Sequence, residues 1–401
     1  MVKQNFALKE KFHQVADLRG EVLPFLRDVS ILTATPPERL EPGKMILINL
    51  PGNGTSLTDD DGNPQDEEKI RASALSGRDD FFSFINEMGQ DDSVLRKYHV
   101  KMGRNNTQSI ACYYTRKVNG LIEEYNETGK LHDSFRPFAD LFDDLISKNG
   151  QKINVEEAVS NMSKVILRGH CFGTLVTSEL EQFLHIKLKN LGYNENECVQ
   201  ILSAPTAIFS SSPVDIEKQP RYFKVVAYAN CADKFIPTLK GVPNYKELAG
   251  FSQAEVDSDE KQMRELHIRE NYRLIVCSSL EIPTLEELKD YAQNVLDNPT
   301  EEEVGRFVQK FLKGHAFSLI RDIYKKTPFM KMLQKNVREM MAKKATSVAL
   351  EHSLNYAKQE VEKIKSINHG SWRKHKKAII SAEYKCDQLE EAQTKQARRA
   401  R

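Results

Sequence analysis

The chain has 401 residues, with 58 Lys+Arg against 57 Asp+Glu and a hydrophobic share of 40%. That is an ordinary globular composition, enough for one large domain with additions or for two domains. No apolar run approaches the ~20 residues of a membrane span, so an integral helical membrane protein is excluded.

Met1 to Arg19 is polar and charged and lacks the apolar core of a signal peptide, which points to a cytoplasmic protein. The six cysteines stand at 112, 171, 198, 231, 277 and 386. None forms a C-x-x-C pair and no histidine cluster accompanies them. Neither a zinc site nor a disulfide framework is expected, and no metal or other cofactor is implied. Cys112, Cys198 and Cys277 lie in or beside apolar, strand-like runs and read as core. The net charge of +1 hides an asymmetry: residues 321–401 carry 20 Lys+Arg against 9 Asp+Glu, and residues 1–320 carry 38 against 48. A shift of that size marks a boundary near residue 325.

In chain order, Phe6, Leu8, Phe12, Val15 and Leu18 have helical spacing. Val29 to Leu32 reads as a strand, and Pro36, Pro37 and Pro42 then break any regular element. Lys44 to Leu50 is a buried strand that runs straight into Pro51-Gly52-Asn53-Gly54. Such a turn can offer backbone N–H groups to an anion, but it lacks the Lys-Ser/Thr of a nucleotide-binding loop. The acidic stretch from Asp59 to Glu68 reads as a solvated loop. A calcium-loop frame ending at Glu68 would begin at Leu57, which cannot coordinate. A helix is expected over Asp79 to Met88, then a strand over Gln108 to Thr115, then helices over Pro137 to Ser147 and Val155 to Met162.

Val165, Ile166 and Leu167 form a short apolar strand. Gly169-His170-Cys171-Phe172-Gly173 comes next, and then a helix from Phe172 to Leu191. Two glycines flanking a nucleophile-capable residue at a strand-to-helix joint match the spacing of a nucleophile elbow, with cysteine in the place of serine. The flanking positions need Gly because a Cβ there would clash. The helix start aims N–H groups and its positive end at the sulfur, which favours thiolate. Further strands are expected over Cys198 to Ala204, Tyr222 to Tyr228 and Tyr272 to Ser278. Alternating strands and helices predict an α/β fold with a doubly wound, mainly parallel sheet. Functional groups in such sheets gather beyond the carboxyl ends of the strands.

Pro283 to Leu312 reads as an acidic helical pair, either a lid or a surface insertion. From Ile323 the pattern is helical and basic, with Gly370-Ser371-Trp372 as an interruption. Glu383 to Arg401 is polar and expected to be loosely ordered. The domain reading is therefore 1–322 for the α/β body, with an insertion at about 281–312, and 323–401 for a basic helical extension.

A thiol nucleophile needs a base, and the base needs an orienting acid. Asp233 follows a strand in Ala232-Asp233-Lys234-Phe235-Ile236-Pro237, and His315 follows the last strand after the insertion. The order of nucleophile, acid and base is the one expected on an α/β-hydrolase fold. The Phe172 N–H and an N–H of the Gly52-Asn53-Gly54 turn can supply an oxyanion hole. Asp215 is a second candidate acid. His267 precedes its strand and falls at the wrong rim of the sheet, and His170 packs beside the elbow.

With I-L-I-N-L-P-G-N-G, V-I-L-R-G-H-C-F-G-T, the D-x-x-I-P acid loop and Gly314-His315, residues 44–317 resemble an α/β-hydrolase. The resemblance implies a triad of Cys171, Asp233 and His315, with Asn53 and Phe172 as oxyanion donors and Gly169 and Gly173 as the elbow glycines. Dienelactone hydrolases and polyhydroxyalkanoate synthases resemble this chain in using Cys at the elbow. Pro51 departs from the family, where His is common.

The expected activity is cysteine-dependent acyl hydrolysis or acyl transfer from an ester, thioester or amide. The alternative is a binding or scaffold protein on the same fold, with Cys171 silent. The basic tail, with Trp372-Arg373-Lys374-His375-Lys376-Lys377, suits an anionic lipid or an acidic partner. No nucleic-acid signature accompanies it. The polar C-terminus resembles the export signals of bacterial effectors, which would deliver the protein into a host cell without a cleaved N-terminal signal.

Overall fold

A computed structural model of the chain describes residues 29–33, 39–50, 107–114, 133–210, 219–231, 244–258, 262–278, 298–305, 328–366 and 372–400. Isolated positions at Gly52, Pro64, Asp66, Glu127, Thr128, Lys289 and Gln293 are also described. The first three strands are β1 (Val29–Thr33), β2 (Met45–Leu50) and β3 (Thr107–Tyr114). A 3-10 helix, Asp133–Phe142, leads into α1 (Asp143–Ile146) and the small hairpin β4 (Ser147–Lys148) and β5 (Gln151–Lys152). The expected helix over Pro137 to Ser147 is therefore mostly 3-10, and its last residue already belongs to a strand.

Then come α2 (Val155–Ser163), β6 (Val165–His170), α3 (Phe172–Asn190) and α4 (Glu195–Leu202). They are followed by β7 (Thr206–Ser210), β8 (Lys224–Asn230), α5 (Tyr245–Ala249), α6 (Gln253–Asp257), β9 (Met263–Arg269) and β10 (Tyr272–Cys277). Two long helices, α7 (Pro328–Ser366) and α8 (Trp372–Ala400), close the chain.

Eight strands form one sheet in the order β1-β3-β2-β6-β7-β8-β10-β9. The six inner strands run parallel, and β1 and β9 pair antiparallel at the two edges. The doubly wound, mainly parallel sheet predicted from the sequence is present. Among the described residues, the inner strands β2, β6, β7, β8 and β10 are buried on both faces, as a sheet covered by helices requires. Ile46, Ile48, Leu167, Phe209, Val225 and Leu274 join the core under α2, α3 and α4, and the alternate residues Leu47, Ile166 and Val226 are buried on the other face.

Local signals explain the helix starts. The Asn154 side chain accepts from Glu156 N at 2.8 Å, capping α2. Asn194 and Glu197 form a reciprocal capping box at α4. That box corrects the strand expected over Cys198 to Ala204. The C-V-Q-I-L run is helical, and the strand begins after Pro205 instead. Of its four apolar residues, Cys198, Ile201 and Leu202 follow helical spacing and are buried, and Val199 is half-buried.

The second correction concerns residues 383–401, expected to be loosely ordered. Through Ala400 they continue α8, with Cys386 and Leu389 buried against α7. A third concerns His267. It precedes β10 as expected, but it also lies inside β9, an edge strand that the sequence did not announce, paired with Arg273 near the start of β10. It still falls toward the rim opposite the carboxyl ends. Within the expected insertion, Thr300 and Glu303 make a capping box for a helical turn at 301–305. Among the described residues, no helix is long and apolar enough to cross a membrane.

Candidate active site

The chain runs from β2 to β3 in one direction, then returns to place β6 on the other side of β2 and continues outward through β7, β8 and β10. The crevice beyond the carboxyl ends of β2 and β6 is thus the switch point of the sheet, where ligands bind in open α/β folds. Cys171 follows β6 there, and Gly52 follows β2.

Cys171 has φ 51° and ψ −119°. This is the first central position of a type II′ turn, a conformation that glycine adopts freely and that side chains resist. The surrounding bonds hold it. Its N–H donates to the Ser210 carbonyl at 3.0 Å, which ties the turn to the end of β7. Its carbonyl accepts from Thr174 N at 3.0 Å and from Thr174 Oγ1 at 2.8 Å. The residue stands at the N-cap of α3, yet its side chain makes no capping bond, and it is 1% exposed.

The flanking glycines are required by contact. A Cβ on Gly173 would overlap the Leu50 carbonyl, and one on Gly169 would lie 3.0 Å from the Thr174 Cα and 3.1 Å from the Phe209 ring. On the facing turn, a Cβ on Gly52 would lie 2.9 Å from the Cys171 Cβ and 3.1 Å from His170 Cδ2. Backbone from two strands therefore meets at the cysteine with no room for another methyl group. Phe172 is buried and opens α3. His170 does pack beside the turn, and its Nδ1 lies 3.0 Å from Ser210 Oγ.

Asn53, Asp215, Asp233 and His315 lie outside the described residues. The strand ahead of Asp233 ends at Asn230 on the same rim as Cys171, and its next residue, Cys231, donates N–H to the Cys277 carbonyl at 3.0 Å.

Two ionisable groups, the half-buried Arg168 and the buried Glu181, are additions that sequence reasoning missed. Arg168 stands two residues before His170 on β6, and burial lowers its pKa. A charge inside an otherwise apolar strand was the available signal. Glu181 is 3% exposed on α3 and accepts N–H groups from Arg221 (2.6 Å), Tyr222 (3.0 Å) and Phe223 (2.6 Å). Burial pushes its carboxyl up, and the three N–H groups oppose that shift in part. It fixes the approach to β8 onto the helix that follows Cys171.

All six cysteines are free. Burial raises the thiol pKa of Cys112, Cys198 and Cys386 and pushes Cys231 up to about 12. These four are poor thiolates at neutral pH. Among the described residues, no group of three or more His, Cys, Asp or Glu side chains could hold a metal ion. No protein-family model matches the chain, and no curated protein is significantly similar to it.

Proposed function

We propose that the chain is a cysteine-dependent acyl hydrolase or acyltransferase built on an α/β-hydrolase fold. The observation that carries this reading is the backbone of Cys171, a side-chain-bearing residue held in a glycine-like conformation at the switch point of a parallel sheet. Backbone strain of this kind costs roughly 1–3 kcal/mol and collects at functional sites. A residue with only a packing role gains nothing from it.

In the proposed reaction the Cys171 thiolate attacks the carbonyl carbon of an ester, thioester or amide. The oxyanion that forms is met by the Phe172 and Asn53 N–H groups. His315, oriented by Asp233, takes the thiol proton and passes it to the leaving group, leaving an acyl-cysteine. Water or a second nucleophile then releases the acyl group. Incubation with a p-nitrophenyl ester tests the reading: a burst of p-nitrophenol and one acyl adduct on Cys171 by mass spectrometry are expected. Cys171→Ala should abolish both. An adduct that persists in this variant defeats the proposal.

The 1% exposure of Cys171 favours a second reading, a binding protein with an inert thiol. Alkylation rate against pH separates the two. An accessible thiolate at neutral pH belongs to the enzyme, and a thiol silent up to alkaline pH belongs to the scaffold.

A further inference from the structure

The helices α7 and α8 form an arm whose base and tip differ in what they touch. At the base, Lys344 donates to the Ser163 and Val165 carbonyls, Lys164 pairs with Glu351 at 2.9 Å, and His352 Nε2 lies 2.8 Å from the Gly43 carbonyl. These contacts sit at the amino ends of β2 and β6, the rim opposite Cys171. Beyond His352, the ion pairs among the described residues stay within the arm. Lys358–Glu390 (2.8 Å), Glu360–Lys385 (3.6 Å) and Lys365–Glu383 (3.1 Å) join one helix to the other. Their antiparallel register puts the first half of α8 beside the far end of α7. At 1.5 Å per residue, the run from His352 to Ser366 advances ~21 Å along the helix axis.

That half of α8 has two unlike faces. His375 Nε2 lies 2.6 Å from the Ile364 carbonyl, and Cys386 and Leu389 are buried on the same inward side. The opposite line, in steps of three and four residues, runs through Lys377, Ile380 and Tyr384. Ile380 is 56% exposed and Tyr384 61%. Lys376 and Lys377 are exposed. Residues 372–382 also hold Arg373 and Lys374 and contain no carboxylate.

We propose that this tip, residues 372–384, docks on an anionic lipid surface. An isoleucine and a tyrosine on a lysine-rich face serve no purpose against a nucleic-acid backbone, which rewards cations and polar donors. A bilayer interface takes both: the apolar side chains enter the head-group layer, and the lysine stems reach the lipid phosphates and carboxylates. Two apolar side chains are a small payload, so the lysines dominate and docking is strongly salt-dependent. The excess of acidic residues over residues 1–320 repels the rest of the chain from the same surface and turns the tip toward it.

The test uses the full chain with vesicles of equal parts phosphatidylcholine and phosphatidylserine, against phosphatidylcholine alone. Co-sedimentation on the anionic vesicles at low salt is expected, with release at high salt. Trp372, the only tryptophan, should shift its emission to shorter wavelength. Lys376→Glu with Lys377→Glu, and separately Ile380→Ser with Tyr384→Ser, should each weaken partitioning ~10-fold or more. Failure to sediment at low salt overturns the proposal. So does undiminished binding by the Ile380/Tyr384 variant together with equal binding to a DNA duplex, which would mark simple polyanion adhesion. Circular dichroism checks that each variant keeps its helix. Where one does not, the salt titration and Trp372 emission of the unaltered chain decide the matter.

Discussion

Gly173 lies against the Leu50 carbonyl so closely that no side chain fits between them. One residue belongs to the first turn of α3 and the other ends β2. Their contact sets the distance between the helix that follows Cys171 and the strand that carries the facing turn. Gly173→Ala forces a Cβ into the Leu50 backbone carbonyl, which no rotamer change relieves. It should cost ~3 kcal/mol or more, the upper end of overpacking. Gly169→Ala meets neighbours at 3.0–3.1 Å, one of them the Phe209 side chain, and should cost less. Thermal unfolding of the two variants ranks them, and the reverse ranking would mean that the turn relaxes at Gly173.

The backbone at Cys171 gives a stability test that needs no substrate. Cys171→Ala keeps a Cβ at φ 51°, and Cys171→Gly removes it. Both lose the sulfur. Gly should therefore be more stable than Ala by ~1–2 kcal/mol, the reverse of their ranking in an ordinary helix or strand. Chemical denaturation of the pair measures this directly. Equal stabilities would remove the strain on which the functional reading leans.

The parts of this fold that were legible in the sequence are those where burial dictates composition. β2, β6, β8 and β10 are buried on nearly every residue, so their apolar runs stand out. The two glycines around Cys171 were legible because the contact they make admits no other residue. β9 was not, because it is an edge strand with alternate exposed positions, and M-R-E-L-H-I-R offers no apolar run. The strand expected at α4 proved helical because C-V-Q-I-L suits either element by composition. The Asn194–Glu197 capping box was the deciding signal. α8 was not legible beyond Glu383 because its order comes from a narrow seam against α7. Glu181 carries no local signature at all, since its partners lie some forty residues on.

The anchor of α7 makes stability depend on pH. Burial, reinforced by the nearby Lys224 charge, lowers the Lys344 pKa to about 7. The unfolded chain holds that proton up to the ordinary lysine range, near 10.5. Between these limits the unfolded state binds more protons, so this group makes stability rise with pH from about 7 toward 10.5 and lowers it as pH falls through the window. One proton sets a ceiling of about 1.4 kcal/mol per pH unit. Lys344 is only half-buried by surface area, so the observed slope should fall below that ceiling. Lys344→Met removes the titrating group and should flatten this part of the profile. A denaturation series across neutral to alkaline pH checks it, and parallel profiles for both proteins would count against the assignment.

The arm allows ion pairs and packing to be weighed against each other. Lys358–Glu390 is among its best ion pairs at 2.8 Å, but both side chains are about half exposed, at 54% and 50%. Solvent screening leaves such an exposed pair little net worth, so Lys358→Ala should barely move the unfolding midpoint. Leu389 is 0% exposed and lies one helical turn from the buried Cys386 on the inward side of α8. Leu389→Ala removes three buried carbons and leaves a cavity between two helices, at ~2–4 kcal/mol. Proteolysis will read the difference more sharply than a global melt. If the seam holds the arm together, Leu389→Ala exposes sites after the lysines and arginines of α8 to trypsin long before the body is cut, while Lys358→Ala digests like the unaltered chain. Equal digestion of the two variants would show that α8 is held by its charges and that the buried seam contributes little.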